Sequence, residues 1–174
     1  MLRGYLEKIM GLATGSDGNV QHKMVQDLLE GFVGEGLIDK RVQVVKTHFP
    51  EKKSHIESAI ERVVLVTRNP MDTLVSLFNM IATGTHNESI IDSDFELFKP
   101  EWEDIIKQEM TVWKDFYHFW LSKDIPVHIL KYEDLKQSPY HFLKQVLEFL
   151  LEVPDITDTK VHKYLKLAVI EGPP

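Results

Sequence analysis

Val63-Val64-Leu65-Val66-Thr67-Arg68-Asn69-Pro70-Met71-Asp72-Thr73-Leu74-Val75-Ser76 is the stretch on which the reading of this chain turns. Its first four residues are apolar without alternation, the pattern of a strand covered on both faces. Asn69 is a good N-cap, and Pro70 suits the first helical position because its missing N–H would be unpaired there anyway. Leu74, Val75, Phe78, Ile81 and Ala82 then form one apolar stripe, with Asp72, Thr73, Ser76 and Asn79 on the opposite side. A buried strand running straight into a capped helix is a repeating half-unit of a parallel α/β sheet.

Two further strands read the same way. Val42-Gln43-Val44-Val45 ends at Lys46-Thr47-His48-Phe49-Pro50, and Val127-His128-Ile129-Leu130 ends at Lys131-Tyr132-Glu133-Asp134. Helices are expected over residues 2–12, with Leu2, Leu6, Ile9 and Met10 on one face, and more weakly over 20–31. Others are expected over 101–121, from Ser138-Pro139 with Phe142, Leu143, Val146, Leu147 and Leu150 as the stripe, and over 157–169. Gly15-Ser16-Asp17-Gly18-Asn19 reads as a loop, and Gly31, Gly34 and Gly36 break the segment beyond residue 31. The polar, acidic segment 84–99 reads as a surface loop or as a wall of a ligand pocket. The fold class expected is α/β: a parallel central sheet flanked by helices, in one domain over 1–174.

All three strands end in polar or charged residues, where an open parallel sheet builds its sites. At the decisive stretch, Arg68 faces the start of a capped helix. A guanidinium bonds phosphate bidentately, a helix N-terminus adds N–H donors, and Ser76 can donate once more. The same residues also fit an Arg–Asp surface pair beside an ordinary N-cap, and physics alone leaves both readings standing.

Composition narrows the function. The 174 residues carry a net charge of −7, which argues against a protein that coats nucleic acid. The absence of cysteine excludes disulfides, thiol catalysis and a cysteine zinc site. No run approaches the ~20 apolar residues of a membrane span. The eight histidines are scattered without metal-ligand spacing, so no metal is expected. The aromatic run Trp113, Phe116, Tyr117, Phe119, Trp120 recurs at helical spacing and reads as core. His118 and His128 read as structural. Asn87-Glu88-Ser89 has the form of a glycosylation acceptor.

Together the motifs resemble those of sulfotransferases. Arg68-Asn69-Pro70 followed by Asp72 and Ser76 is similar to that family's 3′-phosphate-binding segment. Lys46-Thr47-His48 and Tyr132-Glu133-Asp134 are similar to its other two strand-end segments, in the same order, over roughly residues 2–150. The opening stretch, with Leu2-Arg3 and Thr14-Gly15-Ser16, looks closest to the WSC-domain-containing branch. The resemblance implies a P-loop NTPase-like sulfotransferase fold and a transferase that uses 3′-phosphoadenosine 5′-phosphosulfate (PAPS) as co-substrate, without a metal. It implies that Arg68 and Ser76 bind the 3′-phosphate and that Tyr132 lies near the adenine. It makes His48 the general base for the acceptor hydroxyl, with Lys46 balancing charge. Against these stand plainer readings: His48 as a strand-end cap, and Tyr132 as a half-buried ring at a turn.

The resemblance also implies absences. The family's first strand, its phosphosulfate loop and its glycine-rich basic segment have no counterpart here, so the chain is expected to be a partial domain cut at both ends. Two functions are then open. One is sulfuryl transfer to a hydroxyl or amine of a small molecule or carbohydrate. The other is an inactive fragment or pseudoenzyme that keeps only a 3′-phosphate nucleotide-binding or scaffold role. A P-loop kinase relative would need Gly-x-x-x-x-Gly-Lys-Ser/Thr, which is absent. Family members occur in the cytosol and as Golgi membrane proteins, which leaves the compartment open.

Overall fold

The computed structural model describes residues 1–18, 31–49, 60–85 and 88–172. Residues 20–30 of the weaker helix expected over 20–31, and Asn87 of the glycosylation-type triplet, lie outside the described residues.

The elements in chain order are α1 (Leu2–Met10), β1 (Gly15–Ser16), β2 (Val45–Lys46), β3 (Val63–Thr67), α2 (Pro70–Thr83), α3 (Asp92–Leu121), β4 (Val127–Lys131), α4 (Tyr132–Gln137), α5 (Pro139–Leu151) and α6 (Lys160–Glu171). Strands β3 and β4 pair in parallel from Val63↔Val127 to Thr67↔Lys131. Strands β1 and β2 pair in parallel at Gly15↔Val45 and Ser16↔Lys46. Helices alternating with parallel strands make this an α/β fold.

The sheet departs from expectation in one respect: among the described residues it consists of two separate parallel pairs. Val44, next to β2, and Val64, within β3, pack against the same apolar cluster. The strand read at Val42–Val45 is shortened because its start is held in a turn. There the Val42 N–H donates to the Asp39 carbonyl at 3.1 Å, and the Arg41 guanidinium grips the Asp39 carboxylate at 2.8 and 2.9 Å. Gly15–Ser16, read as loop, is strand instead. Its backbone lies against the 34–37 turn so closely that a Cβ on Gly15 would sit 2.1 Å from the Leu37 carbonyl oxygen. A Cβ on Gly34 would sit 2.3 Å from the Thr14 carbonyl oxygen. Only glycine admits this contact.

The main core joins α1, β4, α4, α5 and α6 through Leu6, Leu130, Leu135, Leu143, Leu147 and Leu165, none more than 1% exposed. Burying each contributes roughly 1.5–3 kcal/mol. A second cluster joins Leu65 of β3 to Phe119 and Trp120 of α3, with Phe49, Phe116 and Tyr117 against it. Phe116, Tyr117, Phe119 and Trp120 of the aromatic run therefore belong to this core, as their spacing predicts, while Trp113 lies outside the cluster, edge-on to Tyr117.

Two helices differ from their sequence reading. In α2 only Leu74 and Phe78 are buried, whereas Val75 and Ile81 are 48% and 57% exposed. The stripe narrows because α2 meets α3 through one knob, Phe78, edge-on to Phe95, Phe98 and Trp102. Those contacts also explain why α3 begins at Asp92 rather than 101. Helix continues through Pro100, although proline tends to break one, because Phe95 and Phe98 are anchored ahead of it. The second half of the expected 84–99 loop is therefore helix. Tyr132–Gln137 forms a short helix that periodicity does not reveal. His128 lies in β4 against Phe149, ring centroids 5.3 Å apart, with Nε2 buried and without a partner among the described residues.

Candidate active site

Register sets the first half of the site. Thr67 and Lys131 are paired, so the residues just past them, Arg68 and Tyr132, leave the sheet side by side. The Arg68 guanidinium carbon lies 4.9 Å from the Tyr132 ring centroid. Such stacking favours arginine electrostatically and leaves its N–H edge available for an anion. Among the described residues this guanidinium forms no ion pair with a carboxylate, and it borders two hollows.

One hollow, about 350 Å³, is walled by Arg68, Asp72, Ser76, Asn79, Glu88 and Ser89, among others. The other, about 390 Å³, is walled by Arg68, Asp72, Tyr132, Glu133, Lys136 and Gln137. Arg68 and Ser76 thus share a cavity, while Tyr132 lies across the guanidinium from it. Asn79 holds the far wall by accepting the Ile90 N–H at 3.0 Å.

The N-terminus of α2 is less available than the sequence suggests. The Met71 N–H donates to Asn69 Oδ1 at 2.9 Å, the Thr73 N–H donates to the Asn69 carbonyl at 3.0 Å, and Pro70 has no N–H. Two of the first-turn N–H groups are thus engaged within the junction itself. Asn69 also donates its own N–H to Glu133 Oε1 at 2.9 Å, tying the β3–α2 junction to the start of α4. That bond first, then the backbone N–H of Glu133, holds this carboxylate below the usual range, with Arg68 and Lys131 adding to the effect. Tyr117, on α3, lies near the Arg68 backbone; burial above all raises the Tyr117 hydroxyl above its ordinary value, and the Arg68 backbone works against that rise. Sequence reading assigns Tyr117 to the core and Glu133 no role of its own.

The second half of the site lies at the end of β2. Asp17, directly after β1, donates its N–H to the Lys46 carbonyl at 3.1 Å, extending the strand pairing by one residue. Its carboxylate then closes on His48 at two points: Oδ2 accepts the His48 backbone N–H at 3.0 Å, and Oδ1 meets His48 Nδ1 in a short contact. The Asp17 side chain is 8% exposed and that of His48 41%, so the ring is held from behind and open in front. Asp17 was missed in the sequence because its partner lies 31 residues away. A carboxylate in a Ser-Asp-Gly turn was the only signal.

Lys46 is an exposed residue whose ammonium is nonetheless held below the ordinary lysine value. Desolvation is the main cause and Arg3 adds to it, while Glu35 and Asp17 oppose it. Behind it lies a buried polar cluster. Arg3 donates to Thr14 Oγ1 at 2.8 Å and pairs with Glu35 at 2.7 Å, and Glu7 accepts both the Thr14 N–H and its hydroxyl at 2.7 Å.

The two halves meet through α3. Phe49, next to His48, packs on Phe116 and Phe119 at ring separations of 5.8 and 5.5 Å; Tyr117, beside Phe116, lies near the Arg68 backbone. Among the described residues no three His, Asp or Glu side chains are grouped to hold a metal ion, and no helix is long and apolar enough to cross a membrane.

The chain is thus a parallel α/β scaffold with an arginine and a clasped histidine past its strand ends and a serine on the helix after β3. The family model described as Sulfotransferase domain matches residues 33–171, so the chain belongs to the sulfotransferase family, a family of transferase enzymes. It is 30% identical to cytosolic sulfotransferase 15 of Arabidopsis thaliana over 146 residues, covering 78% of this chain and 38% of that protein. It is 29% identical to cytosolic sulfotransferase 14 of the same plant over 126 residues, or 66% of this chain and 34% of that one. It is also 29% identical to sulfotransferase 1A1 of Rattus norvegicus over 129 residues, or 69% and 42%. The chain thus spans between a third and somewhat over two fifths of the length of these curated relatives. No solved structure matches it significantly.

Proposed function

We propose that this chain forms the 3′-phosphate and acceptor side of a sulfotransferase that moves a sulfuryl group from 3′-phosphoadenosine 5′-phosphosulfate to a hydroxyl. The observation that carries this reading is Arg68, stacked on Tyr132 and opening into the cavity that holds Ser76. The donor's 3′-phosphate accepts from Arg68 and Ser76 there, and Tyr132 offers a ring face toward the adenine side. Asp72 and Glu88 on the same wall oppose an anion, so affinity rests on Arg68.

At the other half of the site, His48 takes the proton of the acceptor hydroxyl as its oxygen bonds to sulfur. The bond from sulfur to the 5′-phosphate oxygen breaks, and 3′-phosphoadenosine 5′-phosphate leaves with that electron pair. Lys46 supplies positive charge to the group in transfer; positioning and charge do most of the catalytic work in such reactions. The acceptor is a small molecule or carbohydrate.

The test is the thermal shift of the chain with 3′-phosphoadenosine 5′-phosphate. A ligand at 100 times its Kd stabilises by about 2.7 kcal/mol. Stabilisation that vanishes in Arg68→Ala supports the reading, and its absence from a protein that melts cooperatively sinks it. Binding without turnover assigns this chain the nucleotide-holding role alone.

A further inference from the structure

We infer that Asp17 is a positioning residue for His48: it fixes the imidazole with its proton on Nδ1 and its lone pair on the outward Nε2. The inference builds on the reading of His48 as the base, and its geometry stands apart from the nucleotide cavity. The Asp17 carboxylate faces two groups of His48, the backbone N–H and the ring Nδ1. The backbone N–H is always a donor, so Oδ2 must accept. The remaining oxygen, Oδ1, is an ionised acceptor, which selects Nδ1–H over a bare Nδ1 lone pair. The clasp is itself fixed, because the Asp17 N–H is held by the Lys46 carbonyl, two residues before His48, and the carboxylate is nine-tenths buried. Strand pairing thus delivers the orienting acid and the histidine together, and only Nε2 is left to take a proton from outside.

Asparagine is the discriminating replacement. It has one acceptor where aspartate has two, and the backbone N–H claims that acceptor. Its NH2 group then faces Nδ1 and demands a lone pair there, which drives the ring proton to Nε2. Nitrogen-15 spectra of the histidine rings, taken at pH about 8.5 where an ordinary imidazole is neutral, read the tautomer directly. The His48 signals are assigned by their loss in His48→Gln.

The expected result is Nδ1–H in the wild-type chain and Nε2–H in Asp17→Asn. A wild-type ring protonated on Nε2, or a tautomer unchanged in a folded Asp17→Asn, overturns the inference. The wild-type spectrum decides the matter if the variant does not fold. Binding of 3′-phosphoadenosine 5′-phosphate, measured on the same samples, is expected to be equal in wild type and Asp17→Asn. Its absence from both, with the tautomers as expected, removes the nucleotide reading and leaves the Asp17–His48 pair standing.

Discussion

The guanidinium carbon of Arg68 lies over the ring of Tyr132, 4.9 Å from its centroid, because each is the first residue past a paired strand position. The stack orients the planar fork, which a lysine cannot reproduce. Arg68→Lys should therefore weaken binding of 3′-phosphoadenosine 5′-phosphate by about tenfold although charge is kept, and Arg68→Ala by roughly a hundredfold, given ~1.5–3 kcal/mol for a charged hydrogen bond. Tyr132→Phe should bind within about twofold of wild type, because the ring face remains, whereas Tyr132→Ala should lose ~1 kcal/mol. Calorimetric titration of the four variants checks the order.

Glu88 sits on the wall of the same cavity and carries the wrong sign for a phosphate. Neutralising it should strengthen the site. Exposed charge interactions contribute up to ~1 kcal/mol, so Glu88→Gln should bind the nucleotide about two- to fivefold more tightly. The gain should shrink as salt rises, because exposed charges are screened. Titrations at low and high salt test both statements, and an unchanged Kd at low salt would place the phosphate away from this wall.

Local signals account for the parts of the fold that were legible in the sequence. The β3–α2 unit reads correctly because an unbroken apolar run, Asn69 and Pro70 each act within a few residues. Arg68, Tyr132, His48 and Lys46 stand at or just beyond strand ends and Ser76 on the helix after β3, as expected, and Arg68 and Ser76 share a cavity. The contacts that escaped are tertiary. Asp17 reaches His48 across 31 residues, and Glu133 reaches the Asn69 N–H across 64; no local pattern encodes either contact. Tyr117 escaped for another reason. Its helical spacing is that of a core residue, which does not reveal that it lies near the Arg68 backbone. The helix start at Asp92 was hidden by Pro100, whose breaking tendency is outweighed by the contacts of Phe95 and Phe98 with Phe78.

Gly34 offers a test of how the histidine half is held. A Cβ there would lie 2.3 Å from the Thr14 carbonyl oxygen and 3.0 Å from its carbon. Both are backbone atoms and cannot turn aside. Gly34→Ala must push the turn off β1, at a cost of at least ~2 kcal/mol for overpacking. The displaced β1 carries Asp17 with it, so the variant should lose both melting temperature and the fixed His48 tautomer. The Arg68 cavity lies on other elements and should keep its nucleotide affinity once ligand is saturating. Melting curves with and without nucleotide, beside the imidazole spectra, separate the two effects.

His128 sets the expected pH dependence. Its Nε2 is buried without a partner among the described residues, and desolvation holds the imidazole below its ordinary value of 6.5. Between 6.5 and that lower value the unfolded chain binds more protons than the folded one. Stability therefore falls as pH drops through this window, and the contribution is flat above it. His128→Leu removes both the titration and the unsatisfied nitrogen, whose burial costs ~1–3 kcal/mol. The variant should melt higher than wild type at about pH 7.5, and its advantage should widen steadily toward about pH 5.5. Carboxylates elsewhere titrate equally in both proteins and cancel in the difference. Paired melting temperatures across that range decide it: a constant gap would mean that His128 is as solvated in the fold as in the unfolded chain, and a gap that narrows on acidification would mean that the folded state holds the extra proton.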